Sequence, residues 1–175
     1  CFYPDADAKY KAVRQVDLGA LQPLVAYPDS VVENSQPVAA AAGTRIDQAF
    51  VGSCANGTLE DLALTAEVVR GKRVDKRVRF IVTPASQAVY RAASEAGIIS
   101  TLANAGVVVT NATCGACGGT HMGVLGENET CITSSTRNFK GRMGETSARI
   151  FMGSPATVAA SAIRGVITDP REFLQ

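Results

Sequence analysis

Two hydrophobic rhythms alternate along this chain. From residue 44 onward, short runs of β-branched and aromatic residues give way to stretches with an apolar residue every three or four positions, and back again. Residues 46–52 (Ile-Asp-Gln-Ala-Phe-Val-Gly) read as a strand ending in glycine. Leu59, Leu62, Ala63, Ala66 and Val69 then recur at helical spacing across residues 58–70. The same spacing predicts strands over 77–83, 107–110, 130–134 and 149–153, and helices over 86–96, 98–105 and 155–164. Pro84 stops a strand, Gly97 and Gly106 close helices, and Pro155 and Gly165 bracket the last helix. Strands alternating with helices imply right-handed crossovers, and so an α/β fold of three layers, a mainly parallel sheet with helices on both faces. Residues 1–43 lack the rhythm and are interrupted by Pro23, Pro28 and Pro37. They read as an extended, loop-rich N-terminal arm, partly paired as an edge strand, ahead of a domain over 44–175.

Composition narrows the possible partners. A length of 175 residues suits one domain, and 46% hydrophobic residues can fill its core. A net charge of +1 without a long basic block argues against nucleic acid and against an anionic membrane surface. No apolar run approaches the roughly 18 residues of a bilayer span, and the first residues lack the basic and apolar regions of a signal peptide. The chain opens on Cys1 and not on Met, which suggests a fragment or a processed product of something longer.

The cysteines change the picture most. Five of them, Cys1, Cys54, Cys114, Cys117 and Cys131, form an odd, widely spaced set unlike a secreted disulfide framework. The expected location is a reducing cytoplasm, where Cys-x-x-Cys points to metal or redox chemistry. His121 is the single histidine, so a His-rich site is excluded.

Ligands of open parallel sheets bind beyond the carboxyl ends of the strands, and three predicted strand ends carry unusual sequence. Gly52-Ser53-Cys54-Ala55-Asn56-Gly57 precedes a helix, whose positive dipole end favours an anionic ligand atom. Cys114-Gly115-Ala116-Cys117-Gly118-Gly119 suits a metal cluster, a redox pair, or half of a zinc site completed by His121 or Cys131. Ser134-Ser135-Thr136-Arg137-Asn138-Phe139-Lys140-Gly141-Arg142 offers two arginine forks that fit carboxylates. A set of three thiolates is one short of an electron-transfer cluster's usual four. It would leave one iron open to a substrate hydroxyl as a Lewis acid, as dehydration of a hydroxy-di- or tricarboxylate requires.

Four stretches carry a family resemblance: residues 50–61, 114–123, 136–144 and 153–163. Together they resemble the aconitase superfamily, and within it the large subunits of 3-isopropylmalate dehydratases near the archaeal-type, homoaconitase-like branch. The resemblance implies a hydro-lyase of leucine biosynthesis, or a related dehydratase of homocitrate, citramalate or dimethylmalate. It implies a [4Fe–4S] cluster held by Cys54, Cys114 and Cys117 with Asn56 beside it, and substrate carboxylates held by Arg137 and Arg142. Family large subunits are more than twice this length, and their other half and a small subunit with a swivelling domain complete the site. This chain therefore holds no complete catalytic set, and alone it is expected to be inactive and to lose its cluster in air. Ala55, Ala116 and Thr136 stand where the family has Thr, commonly Pro, and Asn. His121 is not a cluster ligand in the family, Cys131 reads as a small buried hydrophobe, Ser154 as a helix cap, and Cys1 has no assigned role.

Overall fold

The computed structural model describes residues 2–30 and 32–174. Its elements are β1 (Leu24–Ala26), β2 (Ser35–Pro37), α1 (Val38–Ala41), β3 (Gln48–Gly52), α2 (Ser53–Asn56), α3 (Leu59–Val69), β4 (Arg79–Thr83), α4 (Gln87–Glu95), α5 (Ile98–Asn104), β5 (Val108–Val109), β6 (Thr130–Thr133), β7 (Arg149–Met152) and α6 (Pro155–Arg164). From residue 44 on, strands and helices fall where the pattern places them, with ends trimmed by one or two residues. The trimming has a cause at β3. Asp47 lies just before the strand and turns its carboxylate to accept from the Thr130 amide at 2.8 Å.

The described strands form one sheet in the order β2-β1-β7-β6-β3-β4-β5. All neighbours from β7 to β5 are parallel, and β1 and β2 form an antiparallel hairpin on the β7 edge. This is a mainly parallel α/β sheet, as the alternation predicts. The chain winds outward from β3 through β4 to β5, then returns to lay β6 against the other side of β3. The reversal puts a switch point between β3 and β6, where their carboxyl ends diverge.

Alternate residues of the strands feed two cores. Ala49, Val51, Phe80, Val82, Ile132 and Phe151 face α3, α5 and α6, where Leu62, Ala66, Leu102, Val158 and Ala159 are buried. Local signals fix these helices. Thr58 and Asp61 form a reciprocal capping box at α3, and Ser154 caps α6 ahead of Pro155. Phe50, Ile81, Cys131 and Ile150 point to the opposite face. Their cover is a 3-10 turn (Gly115–Gly118) and irregular chain bearing Leu125, Met143 and Ala148. The third layer is thus loop and 3-10 turn where sequence suggests helix. Its glycines explain this. Gly119 adopts φ +60°, and a Cβ there would lie 2.4 Å from the Met143 carbonyl carbon.

The second half of the N-terminal stretch belongs to the sheet. Val25, Val38 and Ala41 are buried in the helix-side core, and the Tyr27 ring meets Phe151 edge-on at 5.3 Å. Residues 2–23 are mostly exposed, with one short 3-10 turn at Leu18–Ala20.

One ion pair clasps the amino ends of the central strands. Arg79 at the start of β4 donates to both Glu129 oxygens, at 2.8 and 2.6 Å, just before β6. That contact holds the Glu129 carboxyl below its ordinary value of 4.5. A carboxyl depressed in the folded state adds stability above its unfolded value and loses it as pH falls through the folded value. Arg79 is half exposed, so the pair is screened and contributes about 1 kcal/mol or less. Glu129→Gln should therefore lower stability at pH 7 by that amount, and the difference should vanish as pH falls through the folded carboxyl's own value, as urea unfolding along an acid pH series would show.

Candidate functional site

The carboxyl edge of the sheet is built from tight turns that lean on one another. β3 runs into Gly52, whose φ of 139° and 2.1 Å gap from a built Cβ to the Thr83 carbonyl oxygen leave no room for a side chain. Ser53 follows at φ 63°, unusual for a residue with a Cβ, and α2 carries Cys54 out into solvent. The Asn56 side-chain amide donates to the Ser134 carbonyl at the end of β6, and the Ser134 hydroxyl accepts from the Gly52 amide at 3.4 Å. Asn56 therefore ties the Cys54 turn across the switch point.

The second cysteine turn leans on the same strut. Thr83 ends β4 beside Gly52, and its hydroxyl lies 2.7 Å from that of Thr110, just after β5. Gly115 sits so close that a Cβ would lie 2.4 Å from the Thr83 hydroxyl oxygen. Both turns, one bearing Cys54 and the other Cys114 and Cys117, are thus braced on Thr83. Cys114 is exposed, Cys117 is buried, and both are free thiols, as is Cys54.

The arginines go to different places. Arg142 donates from a terminal guanidinium nitrogen to Cys117 Sγ at 3.5 Å, and stacks over the Phe139 ring at 5.6 Å. Its Nε is buried without a hydrogen-bond partner among the described residues. An orphaned buried donor beside a cysteine sulfur fits a site whose remaining acceptor comes with a bound group. Arg137 is exposed and lines a cavity of about 290 Å³ with Asp29, Ser30, Thr136 and Phe139. A neighbouring cavity of about 370 Å³ lies over the ends of β6 and β7, lined by Asn56, Ser134, Ser135, Thr136, Gly153 and Ser154 among others.

Other sequence candidates lie elsewhere. Cys131 is fully buried in β6, and burial pushes its thiol up to about 12. It accepts a long contact of 3.9 Å from Gln48 Nε2 and is a core residue. His121 is exposed. Among the described residues no three His, Cys, Asp or Glu side chains converge closely enough to share one metal ion, the arrangement a single zinc needs. A cluster needs a different one, with each thiolate on a separate iron. Cys1 lies outside the described residues. Ser154 caps α6 by accepting from the Thr157 amide at 3.2 Å. Thr83, Ser134 and Ser135 brace the site although residue type alone gives them no role. Ser134 and Ser135 stand in a run of small hydroxyl residues directly after a buried strand, whereas Thr83 ends β4 ahead of Pro84 with no such signal.

Residues 30–165 match the sequence profile of the aconitase family (aconitate hydratase). This chain belongs to the aconitase family. Among relatives, it is 59% identical over 172 residues to a protein of Mycolicibacterium smegmatis named 3-isopropylmalate dehydratase large subunit, covering 98% of this chain and 41% of the relative. Proteins of the same name from Campylobacter hominis and Nautilia profundicola are each 49% identical, covering 97% and 98% of this chain and 41% and 40% of theirs. This aconitase-family chain thus spans about two-fifths of the length of the curated relatives it matches. No described helix is long and apolar enough to cross a membrane.

Proposed function

We propose that this chain is the cluster-bearing part of a 3-isopropylmalate dehydratase large subunit, a cytoplasmic hydro-lyase of leucine biosynthesis that isomerises isopropylmalate by dehydration and rehydration. The observation that carries the proposal is the pairing of two cysteine turns on one strut at the switch point, with Arg142 on Cys117. Cys54, Cys114 and Cys117 would hold a [4Fe–4S] cluster. When bound, the cluster supplies an iron without a protein ligand, a Lewis acid for a hydroxyl group.

The chain's own residues do the holding. Arg142, with its Cys117 contact and spare buried Nε, orders the thiolate side of the site and offers charge to a carboxylate. Arg137, exposed at its cavity, is free to grip another carboxylate as a fork. Asn56 holds the Cys54 turn against β6. The proton-transferring base and the rest of the pocket come from the remainder of the large subunit and from a small subunit.

The test uses the complete large subunit with its small subunit. Anaerobic reconstitution should bind about four irons per large subunit and restore hydration of isopropylmaleate, while residues 1–175 alone stay inactive. One tight zinc per chain, or hydration by the isolated segment, would overturn the proposal.

A further inference from the structure

Asn138 lies between Arg137 and Phe139, the ring under Arg142, yet it is only 3% exposed. Its amide nitrogen donates to three backbone carbonyls: Tyr27 at 2.6 Å, Ile150 at 3.2 Å and Ser30 at 3.4 Å. Its backbone carbonyl accepts from the Asp29 amide at 3.2 Å. A primary amide has two N–H groups, so both are committed. Two of the three carbonyls belong to the turn that joins β1 to β2, more than 100 residues earlier in the chain.

That turn is itself held in shape by a second asparagine. Asn34 Nδ2 donates to the carbonyls of Tyr27, Pro28 and Ser30 at 3.1, 3.1 and 3.2 Å. The Asn34 carbonyl accepts from the Tyr27 amide at 3.0 Å. Asp29 takes φ 75°, which aims its amide at Asn138. Asn34 thus presents the carbonyls that Asn138 reads.

The consequence falls on the neighbours. Fixing the Asn138 backbone and side chain sets the direction in which Arg137 leaves the chain. It also sets the Phe139 ring on which the Arg142 guanidinium stacks. The cavity at Arg137 is walled by Asp29 and Ser30 of the same turn. We propose that Asn138 is a positioning residue, which docks the arginine loop on the β1–β2 turn and so holds Arg137 and Arg142 in register for substrate carboxylates. The inference rests on the carboxylate-holding role proposed above.

Three variants of the complete enzyme test it: Asn138→Ser, Asn34→Ala and Arg137→Lys. Measured for each are KM and kcat for isopropylmalate, iron per protein, and amide hydrogen exchange of residues 136–142 in the cluster-free protein. Asn138→Ser should raise KM about tenfold with a smaller change in kcat per loaded site. It should also speed loop exchange about tenfold. Asn34→Ala, which keeps Asn138 itself, should shift both in the same direction by less, and it decides the matter if Asn138→Ser fails to fold. Unchanged KM per loaded enzyme and unchanged loop exchange in Asn34→Ala, with Arg137→Lys still raising KM, would overturn the positioning role alone. Unchanged KM in Arg137→Lys would overturn the carboxylate reading, and the inference with it.

Discussion

Cys54→Ser in the complete large subunit should abolish stable iron binding while leaving the apo fold intact. The thiol is exposed at the first turn after β3. A serine hydroxyl of nearly the same shape disturbs no packing there, so apo stability should stay within about 0.5 kcal/mol of the parent. A neutral hydroxyl is a poor iron ligand compared with a thiolate. Iron per protein after anaerobic reconstitution should therefore collapse, and activity with it. Cys131→Ala gives the opposite pattern. That thiol is fully buried against Phe50 and Ile150, and its loss should cost about 1 kcal/mol in urea unfolding while iron binding persists. Full iron content in Cys54→Ser, or its loss in a folded Cys131→Ala, would refute the ligand assignment.

Gly52→Ala should destabilise the fold by on the order of 3 kcal/mol or more, and should remove iron binding with all three cysteines still present. The new methyl would sit 2.1 Å from the Thr83 carbonyl oxygen and 2.8 Å from the Thr83 nitrogen, both rigid backbone. Relief requires β3 and β4 to part at their carboxyl ends, which separates the turns that Thr83 braces. Gly43→Ala is the control, because its φ of 82° is also positive but nothing lies within 4 Å of the added carbon. It should cost about 1 kcal/mol for backbone conformation alone. Urea unfolding and iron content of the two variants separate collision from conformational cost. Equal effects would show that the close approach to Thr83 carries no weight.

The sheet from β3 to β7 was legible because each strand is a short apolar run closed by Gly, Pro or polar residues. The helix starts at Thr58 and Ser86 and the cap at Ser154 were legible as well, since capping is decided within one turn of chain. The cover on the second sheet face was not. It is made of glycine turns that show no periodicity, and their shape is set by contacts such as Gly119 on Met143. The β1–β2 hairpin was also obscure. Its strands are three residues each and β2 is wholly exposed, so no alternation marks them. At the candidate site the unusual residues stood out, but their neighbours did not. Arg142 and Cys117 lie 25 positions apart, and Asn138 and Tyr27 lie 111 apart. Only a folded chain brings such pairs together.

The register of β3 against β6 also imposes an order in time. Gln48 pairs with Cys131 and Phe50 with Thr133. During synthesis the Cys54 turn leaves the ribosome long before the strand whose end, at Ser134, anchors Asn56. Parallel pairing over such a separation is slow, because loop entropy is spent before the contact forms. Until β6 arrives, the cysteine turns are held only from the β4 side. Under the proposed cluster role, iron delivered to the nascent chain would meet a half-built cradle, and loading would follow translation, on the finished sheet.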